Sequence, residues 1–355
     1  MDMDTLLVEP AGLEQVEGAL ERFFEESKVR AAKIGPGYHG LWETLERCTA
    51  GGKRFRPRLV MSSYQMLGGR DLENAAEVGA AFELLHTALI VHDDVIDRDF
   101  VRRGIPNVSG RYRSIAEAAG MSPDGARHVG LSAGVIAGDL ALSNAYRLLE
   151  RVEAPASTRR RLGEILDEAL FASAAGEFLD IETSLHPTMP PLEDIVRMAR
   201  LKTSVYSFEG PLQAGAVLAD AEEEVIVRLG DFGRDAGIAY QIADDLLGVF
   251  GNETRTGKTN WGDLREGKRT ALLSYVSSRP EWESISSLVG SPGMSAAEAD
   301  HVRRILVDSG AKAYSADLAA EYASRARTHL ESAVVPAALR SALEAVVSAV
   351  VDRVH

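Results

Sequence analysis

The stretch LLHTALIVHDDVIDRD, residues 84–99, decides how this chain folds. An apolar run ends there in carboxylates, and a second run, GIAYQIADDLLGVFG at 237–251, does the same. Both read as interior helices, apolar on most sides and without the period-two alternation of a strand. Carboxylates at the end of an apolar helix are costly to desolvate unless something positive compensates them. Two such clusters suggest facing helices that hold divalent cations between them. Asp93 and Asp97 share one helical face with Asp94 beside them, and Asp244 and Asp245 form the second set. Oxygen ligands without thiolate and with little histidine favour a hard ion such as Mg²⁺, which completes its shell with water and substrate phosphate.

Working outward, helical periodicity recurs almost everywhere. Leu13 to Ile34 reads as an amphipathic helix stopped by Gly35-Pro36-Gly37. A second helix is expected from about Arg56 to Leu67, and a third from Leu72 to Asp97. Glycines and prolines between Arg102 and Arg127 suggest a long surface loop with one helical turn near Ala116. Helices resume near 129–150, 157–184, 192–219 and 222–249. A polar loop, GNETRTGKTNWGDLREGKRT, follows, and then three more helices. Many helices with short connections imply an all-α bundle, and no linker divides the 355 residues, so 1–355 is expected to be one domain.

Composition narrows the function. With 45% hydrophobic and 26% charged residues the chain has ordinary globular character, and its net charge of −14 argues against nucleic acid as a partner. Cys48 is the only cysteine, which excludes an intramolecular disulfide and a thiolate metal site and fits a cytoplasmic setting. The acidic N-terminus lacks the pattern of a secretory signal, and no charge-free apolar run suggests a membrane span.

Basic residues gather beside the acidic motifs: Lys53, Arg54, Arg56 and Arg58 in GGKRFRPR, and Arg102-Arg103 after the first motif. Guanidinium groups grip phosphate bidentately and lysine acts as a point charge. Metal-binding carboxylates together with separate cationic clusters match two diphosphates, one bridged by metal and one held by cations directly. A single arginine of this kind more often forms a surface salt bridge; the combination with two buried acidic motifs outweighs that reading. His92-Asp93 resembles the dyad of metal-dependent phosphohydrolases, but His86, His128 and His186 form no matching ligand set. Gly257-Lys258-Thr259 resembles the end of a phosphate-binding loop, yet its glycine spacing and the preceding helix exclude one.

With these motifs in place, the chain resembles the trans-isoprenyl diphosphate synthases of the polyprenyl synthetase family. The resemblance runs from GGKRFRP through HDDVIDRDFVRRG, GEFLDI, KTSVYSFEGPLQAGA and YQIADDLLGVFG to TGKTNWGDLREGK. It implies an all-α isoprenoid synthase bundle around a deep central cavity, in a homodimer. By the same resemblance, Asp93, Asp94, Asp97, Asp244 and Asp245 form the site of Mg²⁺, three ions per active site. Arg102, Lys202, Lys258 and Lys268 are expected on the allylic diphosphate. Lys53, Arg56, His86 and Arg103 are expected on isopentenyl diphosphate. Thr203 and Gln241 would face the developing allylic cation. The implied reaction is head-to-tail condensation giving a longer trans-prenyl diphosphate.

One departure stands out: Gly248 occupies the third acidic position of the second motif, and Asn252 stands where an aspartate often follows Phe-Gly. A class I terpene cyclase shares the fold but needs one diphosphate site and a different second motif. A non-catalytic synthase subunit typically loses the acidic motifs. Product length is less legible. Ala88, five residues before Asp93, offers only a methyl where farnesyl synthases often carry an aromatic, which favours geranylgeranyl diphosphate over farnesyl or longer products. Alternatively, Ala88 simply packs, and Phe82, Leu85 or residues near Val135 set the floor.

Overall fold

Helical periodicity becomes helix almost throughout the computed structural model, which describes residues 10–102, 104–186, 188–251 and 261–352. The order is α1 (Pro10–Ala32), α2 (Pro36–Thr49), α3 (Phe55–Met66), α4 (Leu72–Ile96), the strands β1 (Val101–Arg102) and β2 (Ile105–Pro106), α5 (Val108–Ala118), α6 (Pro123–Leu149), α7 (Ala156–Ser184) and α8 (Leu192–Ala199). A π-helix (Arg200–Glu209) follows, then α9 (Gly210–Leu218), α10 (Glu223–Phe250), α11 (Gly262–Glu266), α12 (Ala271–Ser277), a 3-10 turn (Pro280–Ser284), α13 (Ala296–Asp308), α14 (Ala311–Leu330) and α15 (Ala337–Val351). The all-α class is therefore observed, with one two-residue hairpin among the described residues.

Several local expectations need correction. The stretch expected as a polar loop up to Thr270 holds α11, and four α-helices follow it rather than three. Pro36 does not merely stop α1; it opens α2 in its first turn, where its missing N–H costs nothing. The expected loop after Arg102 is mostly helical. Asn107 caps α5 by accepting from Gly110 N, and Ser122 caps α6 by accepting from Gly125 N. The single helix expected over 192–219 is broken into α8, the π-helix and α9.

The chain forms two compact units. Among the described residues, one comprises those up to Leu166 together with Ala214–Ala221. Its centre is α4, whose Val78, Phe82, Leu84, Leu85 and Val91 are buried. Its principal neighbour, α6, buries the small residues Ala126, Gly130, Ala133, Gly134, Ala137, Gly138, Ala141 and Ala145, which allow two helices to approach closely. By length and apolar composition α4 passes as a membrane span, but 78% of the qualifying window is buried inside the protein, as expected of a core helix.

The other unit comprises Asp167–Gln213 and the chain from Glu222 onward. Here α10 is central, packed on the π-helix and on α14. Ile238, Ile242 and Ala319 form one apolar contact, and Leu246, Val249, Leu264, Leu272 and Leu306 belong to a second, larger core. Asp235 on α10 is buried and joined to α14 by His329 at 3.0 Å and Arg325 at 3.2 Å.

Candidate active site

In the first unit the acidic motif occupies the last turn of α4. Asp93 is half-buried, Asp97 is exposed at the C-cap, and Asp94 is buried. The hairpin after the helix returns Arg102 to it. Arg102 Nε donates to Asp94 Oδ1 at 2.8 Å and Nη2 donates to Asp93 Oδ2 at 3.0 Å. Burial pushes the Asp94 carboxyl up, and the Arg102 hydrogen bond and charge oppose it. Asp94 thus seats Arg102, while Asp93 and Asp97 stay on the more open face. His92 turns away from this cluster to Asp139 on α6, at 3.4 Å, which agrees with the rejection of a phosphohydrolase dyad.

The upstream basic cluster divides. Lys53 is exposed, Arg56 and Arg58 are half-buried, and His86 is half-buried on α4. Arg54 is only 4% exposed and is engaged by Glu17, Glu83 and the Thr49 carbonyl. Counting it with its neighbours as a phosphate cation is incorrect, because its donors are spent inside the protein. Arg103 and Lys258 lie outside the described residues.

In the second unit Gly176 on α7 admits the backbone of the π-helix, since a Cβ there would lie 2.8 Å from Lys202 Cα. That approach sets Lys202 Nζ 2.8 Å from Glu177 and 2.9 Å from Asp180 of the GEFLDI motif. The next residue begins a polar chain: Thr203 Oγ1 donates to Gln241 Oε1 at 2.6 Å, and Gln241 Nε2 donates to Asp245 Oδ1 at 2.8 Å. π-Helical turns often occur at functional sites, and this one sets Lys202 against α7 and Thr203 against α10. Asp244 is exposed there.

Gly248 has a spatial explanation. A Cβ at 248 would overlap Asp263 Oδ2, so the carboxylate of α11 occupies the space of the missing side chain. Lys268 Nζ lies 3.0 Å from Asp263 Oδ1. Asp263 was not singled out by the sequence; the signal available was its place inside the matching GDLREGK segment.

Among the described residues no three carboxylate, imidazole or thiolate groups converge closely enough to hold an ion alone. Such a donor set suits Mg²⁺, which takes one or two carboxylates and fills its remaining positions with water and phosphate oxygens. In that mode Asp93 and Asp97 on α4, and Asp244 and Asp245 on α10, could each supply one or two carboxylates.

Asp245 carries the largest electrostatic consequence. Crowding buries its carboxyl, although the residue keeps some surface, and pushes its pKa up to about 8, with Asp263 and Asp244 adding and Gln241 and Lys268 opposing. Its folded pKa lies above the ordinary value of 3.8, so the protonated form stabilises the fold at low pH and that contribution is lost as pH rises toward about 8. Metal needs the ionised carboxylate. Thermal unfolding should therefore show Mg²⁺ with inorganic diphosphate raising Tm more at pH 8.5 than at pH 6.5. An equal rise at both would mean that Asp245 is ionised without metal.

Comparisons with known proteins identify the family. Residues 40–306 match the polyprenyl synthetase family. The chain is 33% identical over 317 residues to geranylfarnesyl diphosphate synthase of Aeropyrum pernix, covering 88% of this chain and 93% of that protein. It is 30% identical to geranylgeranyl diphosphate synthase of Saccharolobus solfataricus, covering 81% of this chain and 84% of the relative. The crystal structure of geranylgeranyl pyrophosphate synthase from Corynebacterium glutamicum, complexed with isoprenyl diphosphate and magnesium, superposes with a TM-score of 0.89 at 27% identity, covering 99% of this chain and 100% of that one. This chain belongs to the polyprenyl synthetase family and is a prenyltransferase.

Proposed function

We propose that residues 1–355 act as one catalytic domain that joins isopentenyl diphosphate to an allylic diphosphate, with geranylgeranyl diphosphate as product. The observation that carries this reading is the pairing of carboxylates and cations at each acidic helix end: Arg102 on Asp93 and Asp94, and Lys268 on Asp263 beside the second motif. In this reading the aspartates of both motifs hold Mg²⁺, three ions in all. Mg²⁺, when bound, neutralises the charge that grows on the departing diphosphate.

The chain's own residues do the rest. Arg102, Lys202, Lys258 and Lys268 hold the allylic diphosphate, and Lys53, Arg56, His86 and Arg103 hold isopentenyl diphosphate. Thr203 and Gln241 turn oxygens toward the allylic cation, while apolar helix walls exclude water. The isopentenyl double bond attacks the allylic carbon, and a proton then leaves for the departed diphosphate. Purified protein with Mg²⁺, isopentenyl diphosphate and each allylic primer tests this directly, with products sized. Incorporation ending at twenty carbons supports the reading, and no incorporation with any primer overturns it.

The residue that limits the chain is better sought at Leu89 than at Ala88. Ala88 is 1% exposed, and Phe82 and Leu85 are equally closed off, whereas Leu89 and Ile90 are half-buried on the face shared by His86 and Asp93. Leu89→Phe should shorten the product and Leu89→Ala lengthen it, as read by chromatography of the dephosphorylated alcohols. Ala88→Phe should instead overpack the core, costing about 1–3 kcal/mol. Shorter products from Ala88→Phe at unchanged stability would restore the earlier assignment.

A homodimer is supported by an apolar stripe along α7 and just beyond it: Phe171 is 71% exposed, Phe178 63%, Ile181 40% and Leu185 76%. Side chains of that size at helical spacing are typical of a covered face. Sedimentation of the purified protein, as a dimer that Phe171→Asp/Phe178→Asp splits into monomers, is the expected outcome. The cytoplasm is the setting proposed for it.

A further inference from the structure

The sequence places four basic residues in one cluster, and the structure removes Arg54 from phosphate binding without giving it another evident task. Arg54 is unusual in two respects. Its backbone is left-handed, at φ 53°, where a non-glycine residue is strained. Its guanidinium is also buried, which is costly unless every donor is matched.

The matching is nearly complete. Nε and Nη2 grip Glu17 of α1 at 2.6 and 2.9 Å, while Nη1 donates to Glu83 of α4 at 2.9 Å and to the Thr49 carbonyl at the end of α2 at 2.6 Å. One side chain therefore ties the GGKRFRP segment to three helices. Its partners are well separated in sequence, at 37 and 29 residues. Lys53 and Arg56 flank Arg54, and Glu83 lies one turn before His86 on α4. The Arg54–Glu83 bridge therefore fixes the register between the loop bearing Lys53 and Arg56 and the helix bearing His86.

We propose that Arg54 is the positioning residue of the isopentenyl diphosphate subsite, holding Lys53, Arg56 and His86 in one frame through its fork on Glu17 and Glu83. This rests on the assignment of those three residues to isopentenyl diphosphate. Arg54 touches no substrate in this account. Its left-handed turn starts α3 at the angle the cluster needs, and its guanidinium keeps the buried Glu83 carboxylate compensated. Lysine would keep the charge but lose the planar fork that reaches both glutamates.

The test is steady-state kinetics on the full chain, varying isopentenyl diphosphate and the allylic primer separately, for Arg54→Met, Arg54→Lys, Glu17→Gln and Lys53→Ala, with Tm recorded for each. Arg54→Met should raise KM for isopentenyl diphosphate about 10-fold or more, in the range lost when an outer-shell partner is removed. KM for the allylic substrate should stay within about twofold of its original value, because Arg102 and Lys202 are not attached to this loop. Arg54→Lys and Glu17→Gln should give smaller rises with the same selectivity. If Arg54→Met does not fold, Glu17→Gln decides, because Glu17 is half-exposed and leaves the Glu83 bridge in place. Folded variants with unchanged KM for isopentenyl diphosphate, or with both KM values raised equally, overturn the proposal. If Lys53→Ala also leaves that KM unchanged, the fault lies in the underlying subsite assignment; if Lys53→Ala raises it while Arg54→Met does not, only the positioning role fails.

Discussion

Asp93→Asn and Asp244→Asn each lower turnover by at least about two orders of magnitude, the usual cost of removing a group that stabilises transition-state charge. Asparagine keeps the size of the side chain and removes one negative charge. Asp93 keeps a hydrogen-bond acceptor for Arg102, now 3.0 Å away, and Asp244 is exposed, so neither substitution should unfold the protein. The loss falls on diphosphate departure, which cannot proceed while its growing charge is uncompensated. Single-turnover rates at saturating Mg²⁺ separate this from weaker metal binding. Chelator abolishes turnover of the unmodified enzyme altogether. Near-normal turnover in either variant would remove its cluster from the mechanism.

Arg102→Ala strikes twice. It removes a cation assigned to the allylic diphosphate, and it leaves Asp94 buried without its guanidinium. Breaking a fully buried pair costs roughly 3–5 kcal/mol. The Arg102 side chain is 26% exposed, so water can relieve part of that penalty, and a loss of about 2 kcal/mol by denaturant unfolding is expected after that discount. Turnover should fall by about 10²-fold or more. Pairing the substitution with Asp94→Asn divides the two effects: stability should return and turnover should not. Recovery of both in the double variant would make Arg102 a purely structural residue.

The parts of this account legible in the sequence are those with local cause. The apolar runs ending at Asp93 and Asp244 specify interior helices because periodicity is a property of neighbouring residues. The start of α2 was hidden because Pro36 carries two meanings, a stop for the helix before it and an opening for the helix after it. The helix from Val108 to Ala118 was masked by surrounding glycines and prolines, although Asn107 is a good cap. Arg54 looked like its neighbours because its partners, Glu17 and Glu83, are brought to it only by tertiary packing. Gly248 read only as a departure from the second motif for the same reason. The carboxylate that occupies its space belongs to Asp263, fifteen residues further along the chain. The π-helix was invisible too, and the glycine that the Lys202 backbone approaches, Gly176, meets it only through tertiary packing.

Diphosphate release, counted against isopentenyl diphosphate consumed, tests the central claim most directly. With Mg²⁺ and an allylic diphosphate alone, the account predicts no appreciable release. Adding isopentenyl diphosphate should release one diphosphate for each five-carbon unit incorporated, and the product should remain a diphosphate ester. Release from the allylic substrate alone, with a hydrocarbon or alcohol as product, would contradict two-substrate prenyl transfer and make the chain a cyclase.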